Sequence, residues 1–315
     1  MEDVSEKIQA IAARLLSENV VDCVIGFREG TIPLMAEPCL IRSADDAHLL
    51  VFNGFCGANL ANYLPGLSGR IGITAKGCDS RNIVNHLLEN QVKRENLYII
   101  GVPCTGMADR RKLRSKAGRD VIDALDQGKT LGVSTASGEM SIPKKNVLQD
   151  NCATCVHRNP VIFDEMATPP VPEQENADRF SDVNAVEAMS APERWTHFEE
   201  LIAGCIRCYA CRNACPLCYC PTCFVDDSRP QWVGKSLDKT DTRTFHFLRA
   251  FHCAGRCTDC GACERACPLG IPVRQFTKKL VKDCEELYGF EAGVLPDVRP
   301  PLDTFRPDDP QEFIK

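Results

Sequence analysis

The sequence holds no apolar run near the roughly 20 residues that a bilayer-spanning helix requires, so a direct membrane span is excluded and any membrane contact must pass through a partner. It opens Met1-Glu2-Asp3-Val4-Ser5-Glu6-Lys7, without the apolar core of a signal peptide, and a cytoplasmic location is expected. It has no basic excess. Lys and Arg number 37 against 43 Asp and Glu, a formal net charge of -6, which offers little to the phosphates of nucleic acid. The compact basic run at residues 110–116 reads as a solvated face. No complete glycine-rich nucleotide fingerprint occurs, and no complete pattern for a molybdenum, tungsten or nickel active site. Substrate chemistry of that kind is therefore expected to lie on another chain.

Cysteine is what the sequence has in excess: 20 in 315 residues. A chain of this length can bury a substantial core without staples. In a reducing compartment disulfides are disfavoured, whereas thiolates bound to iron or zinc persist. The cysteines therefore read as metal ligands.

Residues 4–19 carry a helical apolar period in Val4, Ile8, Ile11, Leu15 and Leu16. Strands are expected over 20–27, 49–53, 70–75 and 97–102, with a helix over 80–89 capped by Ser80. A helical crossover between strands implies parallel pairing and an α/β N-terminal domain, in which loops from successive strands meet at one sheet edge. Cys56, Cys78 and Cys104 fall in such loops, and Cys152 and Cys155 form a close pair that fits a zinc half-site, a thiol redox pair or part of a cluster. Cys78, Cys104, Cys152 and Cys155 are the preferred set for one N-terminal metal cluster, with Cys56 as first substitute. Cys23 and Cys39, set among apolar residues, read as core side chains.

The composition changes at Pro169, Pro170 and Pro172, and an acidic polar stretch follows. The organisation expected is an α/β domain over 1–165, a linker over 166–192, a multi-cluster domain over 193–290 and a C-terminal extension over 291–315. A short amphipathic helix containing Trp195 and Phe198 should deliver the chain to Cys205.

Two runs then decide the chemistry. Cys205, Cys208, Cys211 and Cys215-Pro216 repeat as Cys257, Cys260, Cys263 and Cys267-Pro268. This is the two-cluster ferredoxin spacing, in which the fourth cysteine serves the other cluster. The crossing assigns Cys205, Cys208, Cys211 and Cys267 to one 4Fe-4S cluster, and Cys215, Cys257, Cys260 and Cys263 to a second. The fold expected is a duplicated ferredoxin-like iron–sulfur domain with an insertion of 41 residues between Cys215 and Cys257. The insertion supplies Cys218, Cys220, Cys223 and, at its end, Cys253. These four read as ligands of a third 4Fe-4S cluster, with zinc or partial use of the thiols as the alternative. The N-terminal set would make a fourth.

With these residues the chain resembles the beta subunits of deazaflavin-reducing hydrogenases and of cytoplasmic formate dehydrogenases from anaerobes, most of all the iron–sulfur subunits associated with heterodisulfide-reductase-like complexes. The match is densest from Arg194 through Ile271 and includes Lys76-Gly77-Cys78-Asp79 and Gly101-Val102-Pro103-Cys104. The resemblance implies an electron-transfer subunit coupling a formate dehydrogenase or hydrogenase catalytic subunit to a heterodisulfide-reductase-like flavin and iron–sulfur module. It also implies FAD, with direct reduction of a deazaflavin as the alternative function. The short stretch between Cys155 and the prolines departs from the longer flavin-containing region of fuller relatives.

Overall fold

The computed structural model describes residues 4–118, 120–175 and 177–304. The N-terminal half is built on a five-stranded sheet. Its strands are β1 (Cys23–Glu29), β2 (Ala36–Ile41), β3 (Ile71–Ala75) and β4 (Leu97–Gly101). A separate antiparallel sheet contains β5 (Val121–Asp126), β6 (Thr130–Thr135) and β7 (Gly138–Pro143), and the short β8 (Glu165–Met166) returns to the first sheet. The first sheet has the order β2-β1-β3-β4-β8, with β1, β3, β4 and β8 parallel and β2 antiparallel at the edge.

Burial explains these strands. All five residues of β3 are buried, as a central parallel strand covered on both faces demands. One face packs Ile25, Ile73, Ile83 and Ile99. The other receives Ile8, Ile11, Leu15 and Leu16 of α1 (Val4–Ser17), the helix expected from their spacing. The expected strand at 49–53 is not one: Leu49 closes a short 3-10 helix (Ala44–Leu49), and Leu50 is buried from a loop. An apolar run of this length cannot distinguish a strand from a buried connection.

The crossover helix α2 (Gly77–Leu88) begins three residues earlier than its sequence suggests. Asp79, not Ser80, makes the reciprocal bond at its start, its Oδ2 accepting from the Lys76 amide at 2.9 Å. Ser80 instead donates to the Gly77 carbonyl at 2.9 Å and accepts from the Val161 amide at 3.0 Å. The helix is buried along most of its length because the C-terminal half packs on its outer face. Asn85 donates to the Arg256 carbonyl at 2.7 Å, and a ring nitrogen of His86 lies 2.7 Å from the Pro216 carbonyl.

Helices α3 (Arg110–Ala117) and α4 (Asp150–Ala153) flank the second sheet. Beyond it come α5 (Ser181–Glu187), α6 (Ala191–Ile202), α7 (Ala210–Asn213), α8 (Lys239–His252), α9 (Ala262–Ala266) and α10 (Arg274–Tyr288). α5 lies within the proline-rich connection and is tied to α10 by Lys278 and Asp182, 2.8 Å apart. α7 and α9 occupy equivalent positions in the two cysteine runs, each preceded by a left-handed residue, Tyr209 (φ 60) and Gly261 (φ 70). No helix of the described residues is long and apolar enough to cross a membrane.

Candidate metal centres

Cys78 lies in the first turn of α2, immediately after β3, where unpaired amides and the helix dipole favour a thiolate. Cys104 follows β4, and Cys152 lies on α4 with Cys155 just beyond it. All four line one cavity of about 50 Å³, several times the roughly 10–15 Å³ a single water needs. Cys260 enters the same wall from the C-terminal half. Cys56 is not among the lining residues; it is buried in the core beside Asn53, whose amide lies 3.3 Å from its Sγ.

Burial controls these thiols. It pushes Cys152 to about 12 and Cys155 to about 11. Burial, with Asp79 adding to it, raises Cys78 well above its ordinary value. Two buried cations face them. The Lys76 ammonium is paired with Asp79 at 2.7 Å and acts electrostatically on Cys78 and Cys104. Arg81 holds the Ala292 carbonyl at 2.7 Å and faces Cys155. Each already has a carboxylate, Asp79 for Lys76 and Glu291 at 3.0 Å for Arg81, and their positive field at the cavity would also favour the thiolates of a bound centre.

The second cavity, of about 20 Å³, gathers Cys215, Cys257, Cys260 and Cys263, with Cys253 also in its wall. Cys260 thus borders both cavities. Cys205, Cys211 and Cys267 are neighbours in the adjoining core, and Cys208, beside them in sequence, is exposed. Amides point at the sulfurs: Arg207 N to Cys205 Sγ at 3.4 Å, Asp259 N to Cys257 Sγ at 3.4 Å and Ile271 N to Cys267 Sγ at 3.3 Å. Such donors stabilise negative sulfur and tune a cluster.

The spare cysteines of the insertion divide. Cys218 and Cys253 pack against Cys215, and their thiols donate to it, so that Cys215 falls well below its ordinary range. Cys223 packs with Cys211 and lies beside Arg212, whereas Cys220 is exposed. The structure thus brings two of these four together at Cys215 and leaves the other two on different surroundings.

Arg249, on α8, was not singled out by the sequence. Its side chain is buried and faces Cys263, Cys215, Cys253 and Cys211, cysteines of both runs and of the insertion. One guanidinium nitrogen donates to the Cys211 carbonyl at 3.0 Å, while Nε has no partner. Burial alone would lower its pKa, and the surrounding sulfurs raise it well above the ordinary value. An incompletely bonded buried guanidinium among cysteines matches the charge of anionic iron–sulfur centres. Nothing in the sequence marks Arg249, ten residues after the first residue of α8, for such a role without the fold.

Residues 200–271 match the family described as 4Fe-4S dicluster domain. Two curated relatives align along almost the whole chain. The F420-dependent formate dehydrogenase subunit beta of Methanocaldococcus jannaschii is 23% identical, with 91% of this chain and 91% of that one covered. The F420-dependent formate dehydrogenase 1 subunit beta of Methanococcus maripaludis is 24% identical, with 94% and 92% covered. The resemblance to the beta-subunit family holds. The chain contains a 4Fe-4S domain over residues 200–271. Among solved structures, a chain of the F420-reducing NiFe hydrogenase complex from Methanosarcina barkeri aligns with 49% of this chain and 62% of its own, at 17% identity and a TM-score of 0.38.

Proposed function

We propose that this beta-subunit relative is an electron-transfer subunit, and that it carries the clusters in a row of adjoining sites. The observation that carries the reading is the double position of Cys260, which borders both the cavity of Cys78, Cys104, Cys152 and Cys155 and the cavity of Cys215, Cys257 and Cys263. Cys78 and Cys260 are electrostatic neighbours, as are Cys211 and Cys263. The ligand sets are those of the crossed ferredoxin pattern: Cys205, Cys208, Cys211 and Cys267 for one 4Fe-4S cluster, Cys215, Cys257, Cys260 and Cys263 for the other. Cys78, Cys104, Cys152 and Cys155 would hold an N-terminal cluster, with Lys76 and Arg81 balancing its charge.

The centres supply one-electron chemistry when bound. The chain's own part is to exclude water, aim amides at the sulfurs and set the buried positive charge of Arg249 between the two runs. Packing of Cys218 and Cys253 on Cys215 supports only half of a further site, and Cys220 and Cys223 would have to move to complete a third cluster in the insertion.

The partner on one side is the catalytic subunit of a formate dehydrogenase or hydrogenase, since the relatives are named as beta subunits of such an enzyme. The partner on the other is a heterodisulfide-reductase-like flavin module, in the cytoplasm, where the thiolates survive. The word F420-dependent in the relatives' names favours a second reading, in which the chain holds FAD and reduces a deazaflavin itself. Anaerobic purification with iron and acid-labile sulfide analysis tests the first reading. About 16 of each per chain corresponds to four clusters, about 12 to three and about eight to the paired runs alone, while substrate oxidation by the isolated chain overturns the relay. Stoichiometric flavin in that preparation, with rapid deazaflavin reduction, selects the second.

A further inference from the structure

The two cysteine runs share one spacing, so a difference between their centres has to come from what surrounds the sulfurs. Their first cysteines are served alike by the backbone. Cys205 Sγ faces the Arg207 amide at 3.4 Å and Cys257 Sγ faces the Asp259 amide at 3.4 Å, each from a residue of positive φ, 48° and 57°. There the likeness ends. His246 Nε2 lies 3.2 Å from Cys205 Sγ, whereas among the described residues no side chain is bonded to Cys257 Sγ. Of the six histidines, His246 is the one whose ring nitrogen stands against a cysteine sulfur.

Packing fixes this ring in place. His246, on α8, is buried between two others, its centroid 5.0 Å from that of Phe245 and 6.2 Å from that of Phe276. Phe245 is met edge to face by Tyr209, 5.2 Å away. Tyr209 has φ 60 at the place where the second run has Gly261 at φ 70. A left-handed backbone costs a tyrosine more than a glycine, and the contact that holds Phe245 beside His246 is what the side chain returns. A cluster-bound thiolate offers only lone pairs, so in the loaded chain Nε2 carries the hydrogen and donates it.

We propose that His246 is a positioning residue for electron transfer, whose N–H to sulfur bond at Cys205 raises the reduction potential of the centre on Cys205, Cys208, Cys211 and Cys267 and leaves that of the second run in place. Gain of one electron adds negative charge to the sulfurs without making or breaking a bond. A donor aimed at one sulfur therefore stabilises the reduced form more than the oxidised form. Arg249 faces sulfurs of both runs, so its charge acts on both centres, whereas the His246 bond acts on one. The inference rests on the electron-transfer reading and adds to it a local control over one of the paired centres.

The full iron-loaded chain is titrated anaerobically against electrode potential while electron paramagnetic resonance follows the reduced centres. Cys208→Ser, at an exposed ligand, identifies the first-run signal by altering it. His246→Phe keeps a ring beside Phe245 and Phe276 but removes the donor. At the parent's first-run midpoint the ratio of oxidised to reduced centre should rise about tenfold, a fall of about 59 mV for a one-electron couple, with the second-run midpoint and the iron content unchanged. His246→Gln, which keeps an N–H within reach of Cys205, should recover much of that loss. Should His246→Phe fail to hold iron, the unaltered chain decides: grown with isotope-labelled histidine, its reduced first-run centre should show coupling to one histidine nitrogen in pulsed resonance. An unmoved first-run midpoint, equal shifts in both centres, no recovery by glutamine or no nitrogen coupling overturns the proposal, and with both runs loaded the electron-transfer reading survives that failure. A first run without iron overturns both.

Discussion

The two cysteine-bearing halves assemble their sites by opposite means. In the C-terminal half, three cysteines of each set fall within seven residues, 205–211 and 257–263, so a single tight turn can present them. In the N-terminal half, Cys78, Cys104, Cys152 and Cys155 come from the start of α2, the loop after β4 and the region of α4, separated by up to 77 residues of chain. The parallel sheet edge places Cys78 and Cys104, and the Gln149 amide, 2.9 Å from the Met107 carbonyl, holds the start of α4 with its Cys152 beside them. The first kind of site is coded by local spacing and needs little fold; the second is a property of the fold and fails when the fold shifts.

The strongest way to break that comparison is to remove one ligand from each half. Cys263→Ser should remove about four irons and destabilise the dicluster region, since Cys263 is buried in the core that holds Cys211 and Cys267. Cys78→Ser should remove about four irons while leaving the dicluster signals intact, because α2 is held by its own core. Iron analysis with paramagnetic resonance separates the two, and loss of the dicluster signals in Cys78→Ser would show the halves to be one cooperative unit.

Arg249→Met comes next. A buried cation among several sulfurs, once removed, leaves negative charge unbalanced, a loss on the order of 3–5 kcal/mol for a broken buried pair. Denaturant unfolding of the cluster-loaded chain should report it, and little change would place those sulfurs outside the charge network.

Gly77→Ala is smaller and confined to the N-terminal half. A Cβ there would run into the His157 carbonyl, pushing away the segment that carries Cys155, at a cost of roughly 1–3 kcal/mol for overpacking. Selective loss of the N-terminal iron, with the dicluster retained, is the expected outcome; full retention would mean that the loop can move without disturbing the site.

The smallest effect concerns the joint between the halves. Burial opposes ionisation of Glu291, but the hydrogen bond from His157 and the charges of Arg81 and Arg179 outweigh it and hold the pKa at about 2. A carboxylate depressed in this way stabilises the fold above its unfolded pKa of about 4.3, and that contribution disappears as pH falls toward 2. With its partial exposure, solvent screening limits the contribution to about 1–2 kcal/mol. Glu291→Gln should therefore melt lower than the parent at pH 7 and converge with it toward pH 2; a constant difference across that range would assign the loss to packing instead.

Much of the fold was legible. α1 followed from its apolar period, and β1, β3 and β4 from their short apolar runs, because burial on one or two faces leaves a repeat in the sequence. The second sheet was not anticipated: its buried apolar residues, Val121, Leu131, Val133 and Ile142, are few, and the outward positions of β5 and β7 include exposed Ile122, Leu125 and Met140. That mixture blurs the alternation by which a half-buried strand is recognised. The assignment of 49–53 to a strand failed for the related reason that Leu50 is buried from a loop. In the site, cysteine spacing pointed to the paired runs and proposed the N-terminal set, and Lys76 fell in the matched motif, but its buried pairing with Asp79, the place of Arg249 and the shared position of Cys260 carry no mark in one dimension.

By itself, then, the sequence determined the cysteine chemistry and the paired ferredoxin spacing, since ligands within one turn are constrained by the short chain between them. It also determined which segments could bury a face. The tertiary structure decided which distant cysteines share a cavity, which cations stand against them and that Cys260 belongs to the walls of both cavities. Those outcomes depend on how α2 packs against residues 256–258 and on the parallel order of β3 and β4. Distances between remote segments follow from packing, and no local spacing encodes them.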